Sequence, residues 1–320
     1  MPNAQPFSKD VLYDFSPQKT YTGRDTLQIA MPLGGIGAGC VCINGQGGLQ
    51  DFSIRHKPDT TALPDEYQDR VNTDAAFALL HLPGQAITRL MEGPMPPEKM
   101  YDQSLKSQGY RSGGHEGLPR FRNCTFRGEF PFAHVTLSDP AIPLRVEITA
   151  FNPFIPLDDK NSGLPCAILE YRLINPSAES VPYEFSYHLS HLAPGQDELS
   201  QHTTRNTVIP GGVLMDNREP DGSAFHGSCA LGVMGHDPQV KAMWFRGGWF
   251  DSISALWREV STGAFEPNPG SAETDEQASE GHYRDDRKRR NGGSILLKGT
   301  LAPGESVCYP IVIAWHFPTV

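Results

Sequence analysis

From about Phe130 to the C-terminus, apolar residues recur at every second position in short segments separated by turn residues. This is the pattern of antiparallel strands with one buried face. Leu144, Val146, Ile148 and Ala150 share one face of such a segment while Arg145, Glu147 and Thr149 point the other way, and Asn152 and Pro153 break it. Ala167, Leu169, Tyr171 and Leu173 repeat the arrangement up to Asn175 and Pro176, and Tyr183, Phe185, Tyr187 and Leu189 continue it. The last segment sets Val307, Tyr309, Ile311, Ile313, Trp315 and Phe317 on one face, and its Pro310 suggests an edge strand or a bulge. Faces of this kind leave water only by packing on one another. The expected fold is therefore all-β: a large two-sheet antiparallel β-sandwich with one short helix and long surface loops.

Composition supports that reading. The 32 glycines and 28 prolines make up about 19% of 320 residues, against a usual ~12%, which excludes a helical bundle or solenoid. One stretch has helical spacing, Trp249 to Thr262, where Phe250, Ile253, Leu256, Trp257 and Val260 recur three and four apart. Gly263 follows as a C-cap. Met91 to Gly117 and Glu266 to Gly293 read as surface loops. No linker divides the chain into two cores, so residues 1–320 are read as a single domain.

The net charge of −10 repels polyanions. The one basic patch, Arg284 to Arg290, contains Asp285 and Asp286 and reads as a solvated loop rather than a nucleic-acid site. Six cysteines are too sparse for a disulfide scaffold. Cys40 and Cys42 share one strand face with no second pair at zinc spacing, and read as core thiols. No secretory leader and no membrane-spanning apolar run are visible, so the expected compartment is the cytoplasm. Asn123-Cys124-Thr125 is a formal glycosylation sequon, inert in that compartment.

Two patterns invite a catalytic or ligand reading. PLGGIGAG, Pro32 to Gly39, has the glycines of a phosphate loop, but Cys40 stands where the third glycine of a dinucleotide fingerprint belongs, and no Lys-Ser/Thr pair follows. Its glycines read instead as a sharp turn or a close backbone approach, running into a strand and a tight turn at Asn44-Gly45. His188 and His191 form H-x-x-H, but on a strand positions three apart face opposite sides, His191 with Tyr187 and Leu189 and His188 on the polar face. No G-x-S-x-G elbow and no H-E-x-x-H occurs. The residues show structure and no catalytic centre, and they call for no metal or cofactor. A pair of carboxylates for glycoside hydrolysis stays open, because its spacing is a property of the fold.

Several segments, in order, resemble the N-terminal domain of glycoside hydrolase family 116, the β-glucosidase and non-lysosomal glucosylceramidase group. They are MPLGGIGAGCVCINGQGGLQDFSI from Met31, GEFPFAHVTLSDPAIPLRVEITAFNPFIPLDDKNSGLPCAILEYRLINP from Gly128, WFRGGWFDSISALWREVSTG from Trp244, and the closing LAPGESVCYPIVIAWHFP. The part from Phe130 to Pro156 is the most specific. The resemblance implies a β-sandwich packed on a C-terminal (α/α)6 barrel that carries the retaining glycosidase chemistry. No position here matches that barrel's catalytic motifs, so no catalytic residue is carried over and the chain alone is expected to be inactive. Its partners would be the barrel, in cis, and through it a β-glucoside or glucosylceramide-type substrate. Trp244, Trp249, Phe250 and Trp257 are then either core residues or a barrel-facing interface. The alternative function is a stand-alone carbohydrate-binding sandwich, with Trp244 or Tyr110 stacking on sugars. A third is a hydrolase using the sandwich's own carboxylates.

Overall fold

The computed structural model describes residues 8–14, 18–56, 58, 75–97, 115, 117–193, 205–217, 219–224, 226–244, 252–266 and 292–318. Strands, numbered in chain order, form three antiparallel sheets. The largest has nine strands in the order β1 (Thr20–Thr22), β7 (Asn123–Glu129), β8 (Phe132–Asp139), β9 (Ile142–Phe151), β10 (Cys166–Ile174), β17 (Ser306–His316), β14 (Ser228–Val233), β13 (Gly212–Asp216) and β12 (Arg205–Ile209). The second has five, β15 (Gln239–Lys241), β16 (Gly292–Leu301), β11 (Val181–Ser190), β5 (Ala76–Leu82) and β6 (Ile87–Leu90). A third is formed by β2 (Ala30–Leu33), β3 (Cys40–Asn44) and β4 (Leu49–Ser53).

The period-two faces meet as expected. Ile148, Leu169, Ile311 and Ile313 of the nine-stranded sheet are buried with Phe185, Tyr187 and Ile295 of the five-stranded sheet in one core. Leu33, Val41 and Ile43 of the small sheet join the same core. Aromatic rings stitch the layers: Phe185 stacks on Tyr309 at 5.0 Å, and Tyr171 meets Tyr187 edge-on at 5.8 Å.

Pro310 does not mark an edge. β17 is central, paired with β10 on one side and β14 on the other. The carbonyl of Pro310 accepts from Met234 N, just past the end of the β14 ladder. A strand residue's N–H and C=O point the same way, so the hydrogen missing from proline faces that turn and no β10 bond is lost.

The helical spacing produces a helix over Ser252–Ser261, with Gly263 closing it at φ 74°. Ile253, Leu256 and Val260 pack with Phe77, Leu79 and Leu296 on the outer face of the five-stranded sheet, a second apolar cluster. His188 therefore lies on no solvent face: the helix layer covers the side on which it points, and it is fully buried.

Candidate functional site

Two of the four aromatic residues expected at an interface are described. Trp244 is 2% exposed, belongs to the second cluster, and donates its indole N–H to Ser294 Oγ at 2.7 Å. A ring so enclosed offers no platform for a sugar. Trp257 packs half-buried against the same cluster. Trp249, Phe250, Tyr110 and the basic patch Arg284 to Arg290 lie outside the described residues.

Beneath Trp244 runs a polar chain. His188 Nδ1 is 2.7 Å from Ser294 Oγ and its Nε2 is 2.9 Å from Ser186 Oγ. The Ser294 hydroxyl, which accepts from Trp244, keeps its own hydrogen and a second lone pair, so it pairs with Nδ1 in either imidazole tautomer. Burial keeps His188 neutral and pushes its pKa down to about 3. His191 lies on the other side of the strand, near Cys229 of the main core. The two imidazoles cannot share an ion, and among the described residues no three His, Cys, Asp or Glu side chains converge as a metal site.

The glycine-rich segment leads into β3 and not into a helix, so it lacks the helix N-terminus of a phosphate loop. A Cβ on Gly35 would sit 2.4 Å from Leu164 O, and one on Gly34, at φ 122°, 2.5 Å from Gly39 O. Close backbone approach is therefore what these glycines permit. Next to them opens a cleft of about 500 Å³ lined in part by Gly37, Gly39, Ser53, His56 and Phe317. Trp315 Nε1 donates across its wall to Ala38 O at 2.7 Å. Cys40 and Cys42 are half-buried on one face of β3 rather than enclosed in the core. A hydrogen bond from Cys42 holds the Cys40 thiol down to about 7, and as donor in that bond Cys42 is pushed well up.

Among the described residues four carboxylates are buried, and each faces a basic side chain. Glu92 lies 3.5 Å from His115 and 3.4 Å from Arg120. Asp139 lies 4.0 Å from Arg89, Glu184 3.0 Å from Lys298, and Glu259 2.9 Å from Lys241. Burial alone would raise the Glu92 carboxyl; the His115 and Arg120 contacts outweigh it and hold the group below its ordinary range. Within the stretch Met91 to Gly117, read as a surface loop, Glu92 and His115 are buried while Pro94, Pro97 and Gly117 are exposed; residues 98–114 and 116 lie outside the described residues. A glycosidase needs two carboxylates flanking an open site. These four serve instead to tie segments together.

One feature escaped the period-two reading. Between β9 and β10 the chain forms a locked loop: Ser162 Oγ accepts from Ile155 N at 2.9 Å and donates to Ile155 O at 3.0 Å. Asp158 Oδ1 caps the short helix Asp159–Ser162 by accepting from Asn161 N. This loop holds Phe154 and Ile155 open to solvent and Leu157 fully exposed, at φ 67°. The apolar run Phe154-Ile155-Pro156-Leu157 among turn residues was the available signal.

The family described as "beta-glucosidase 2, glycosyl-hydrolase family 116 N-term" matches residues 30–320. No curated protein matches the sequence. Among solved structures, a candidate aldose 1-epimerase from Escherichia coli K12 aligns at 11% identity and TM-score 0.42, covering 90% of this chain and 99% of that one. The Slr1438 protein of Synechocystis sp. PCC 6803 aligns at 11% identity and TM-score 0.39, over 95% and 98%. A polysaccharide lyase aligns at 11% identity and TM-score 0.32, over 95% of this chain and 33% of its own.

Proposed function

The chain belongs to the glycosyl-hydrolase family 116 N-terminal family, and from that membership we propose that it is the β-sandwich half of a two-part retaining β-glucosidase or glucosylceramidase-like enzyme. Its role is to brace a helical catalytic domain and to shape the mouth of that domain's active site, which takes the β-glucoside. The family match over residues 30–320 carries the reading. The longest helix among the described residues has ten residues, so the described chain holds no part of a helical barrel. Residues 1–320 act as one unit in this scheme. In this reading the stretch Met91 to Gly117 shapes that mouth, with the contact between Glu92 and His115 tying its two sides together. Of the aromatic residues read as barrel-facing, Trp257 is the described one left half-buried, and it packs against the chain's own second cluster.

The six cysteines are free thiols, which suits work in the reducing cytoplasm. No helix among the described residues is long and apolar enough to cross a membrane.

Hydrolysis of an aryl β-glucoside tests the reading. The chain alone should give no turnover, and joining it to a family 116 helical domain, in cis or in trans, should give enzymatic rates. Turnover by the chain alone at ~1 s⁻¹ or more would contradict it.

A further inference from the structure

We propose that the apolar half of the outer face of the nine-stranded sheet, together with the loop from Asn152 to Leu164, is the surface on which the helical catalytic domain of a family 116 enzyme docks. The proposal rests on reading the chain as the N-terminal half of such an enzyme, and it names the face involved.

Register alone assembles the strip. Phe132 pairs with Phe151, Phe151 with Ile168, and Ile168 with Val312, so four apolar side chains line up across β8, β9, β10 and β17. The adjacent row runs through Cys166, Ala314, Ala230 and Leu214. All eight alternate with core residues and so point outward; Phe132 is 42% exposed and Leu214 38%. Farther along the same strands the face turns charged, with Arg145 on Glu147 at 3.0 Å and Glu147 opposite Arg172. An outer sheet face facing only water carries polar residues throughout, as this charged half does. The apolar half has the composition of a contact.

The loop extends the strip with a preformed knob. Phe154 meets the exposed Phe130 at 5.8 Å, and Ile36 N donates to Ser162 O at 2.7 Å, which brings a further exposed apolar side chain to the same end. Leu157 holds a left-handed φ of 67° while its side chain touches nothing. Strain of that kind persists where a rigid setting enforces it, and the Ser162 and Asp158 bonds supply the setting. A rigid exposed leucine loses little entropy on docking.

The family match marks the chain as an N-terminal part, so the occupant is taken to be the helical domain of the same enzyme. The outer face of the five-stranded sheet is covered by the chain's own helix Ser252–Ser261, so the precedent within the fold for covering an outer sheet face is a helical layer. β17 carries Val312 and Ala314 through the middle of the strip and brings Phe317 to its rim, beside the cleft with Gly37 and His56.

The test co-expresses the full chain with the helical domain of a family 116 β-glucosidase and measures the complex by gel filtration with light scattering and by dissociation constant. The double variant Ile155→Asp/Leu157→Asp, at exposed positions, should keep the wild-type unfolding midpoint and bind roughly 30-fold more weakly, the loss of one interface hot spot. Trp257→Asp should bind as wild type. Retained binding by the double variant with loss in Trp257→Asp would move the contact to the other face and overturn the proposal. Self-association of the chain that the double variant abolishes would make a second copy the occupant, and would also overturn it. Failure of the wild-type chain to form any complex would overturn the two-part reading itself.

Discussion

Trp244 and His188 meet through a single hydroxyl: Ser294 Oγ accepts the indole N–H at 2.7 Å and lies 2.7 Å from the imidazole Nδ1. Ser294 is fully buried, so no water replaces it. Ser294→Ala leaves two buried polar groups unpaired, a loss of about 2–6 kcal/mol at 1–3 kcal/mol per group. Urea unfolding should show the midpoint shift with an unchanged slope.

The same histidine makes the fold acid-sensitive. His188 titrates at about 3 when folded and near 6.5 when unfolded, so below pH 6.5 the unfolded chain takes up a proton that the folded chain refuses. Stability is complete above that value and falls on acidification, by about 2 kcal/mol at pH 5. Glu92, held low by His115 and Arg120 once burial is offset, adds a loss in the same direction as pH falls through the carboxylate range. His188→Gln should flatten the pH 5–7 part of a stability profile and leave the steeper carboxylate part.

Lys241 and Glu259 join the five-stranded sheet to its covering helix at 2.9 Å, both side chains almost fully buried. Glu259→Ala strands the ammonium and should lower stability by about 3–5 kcal/mol, whereas Lys241→Met combined with Glu259→Leu should lose far less. A double-mutant cycle by chemical unfolding reads the difference.

Gly35 packs directly on the backbone of Gly163 and Leu164, where an added Cβ would lie 2.5 Å and 2.4 Å from main-chain atoms. Gly35→Ala should cost about 1–3 kcal/mol by overpacking. It should also free the loop that carries Leu157, seen as faster amide exchange at Ile36, whose N–H is bonded to Ser162 O.

Much of the fold was legible in the chain because a period of two has one physical solution. Tyr183, Phe185 and Tyr187 read as one face and are one face. Pro310 misled because a proline is incompatible with a ladder only on the side its nitrogen faces, and that side is set by the length of β14, a non-local fact. His188 misled for a related reason: alternation shows that two faces differ, and only the helix laid over the second shows that it too is dry. The exposed row Phe132, Phe151, Ile168 and Val312 could not be read from any one segment, since each contributes a single residue and register alone brings them together.

The bracing role is tested most directly by the heat stability of a family 116 helical domain with and without this chain. A partner that binds only the folded domain stabilises it by about 2.7 kcal/mol at a hundredfold excess over the dissociation constant. The account predicts a clear rise in the helical domain's unfolding temperature when the chain is added, growing with chain concentration. An unfolding temperature that does not move at any concentration of the folded chain would contradict it.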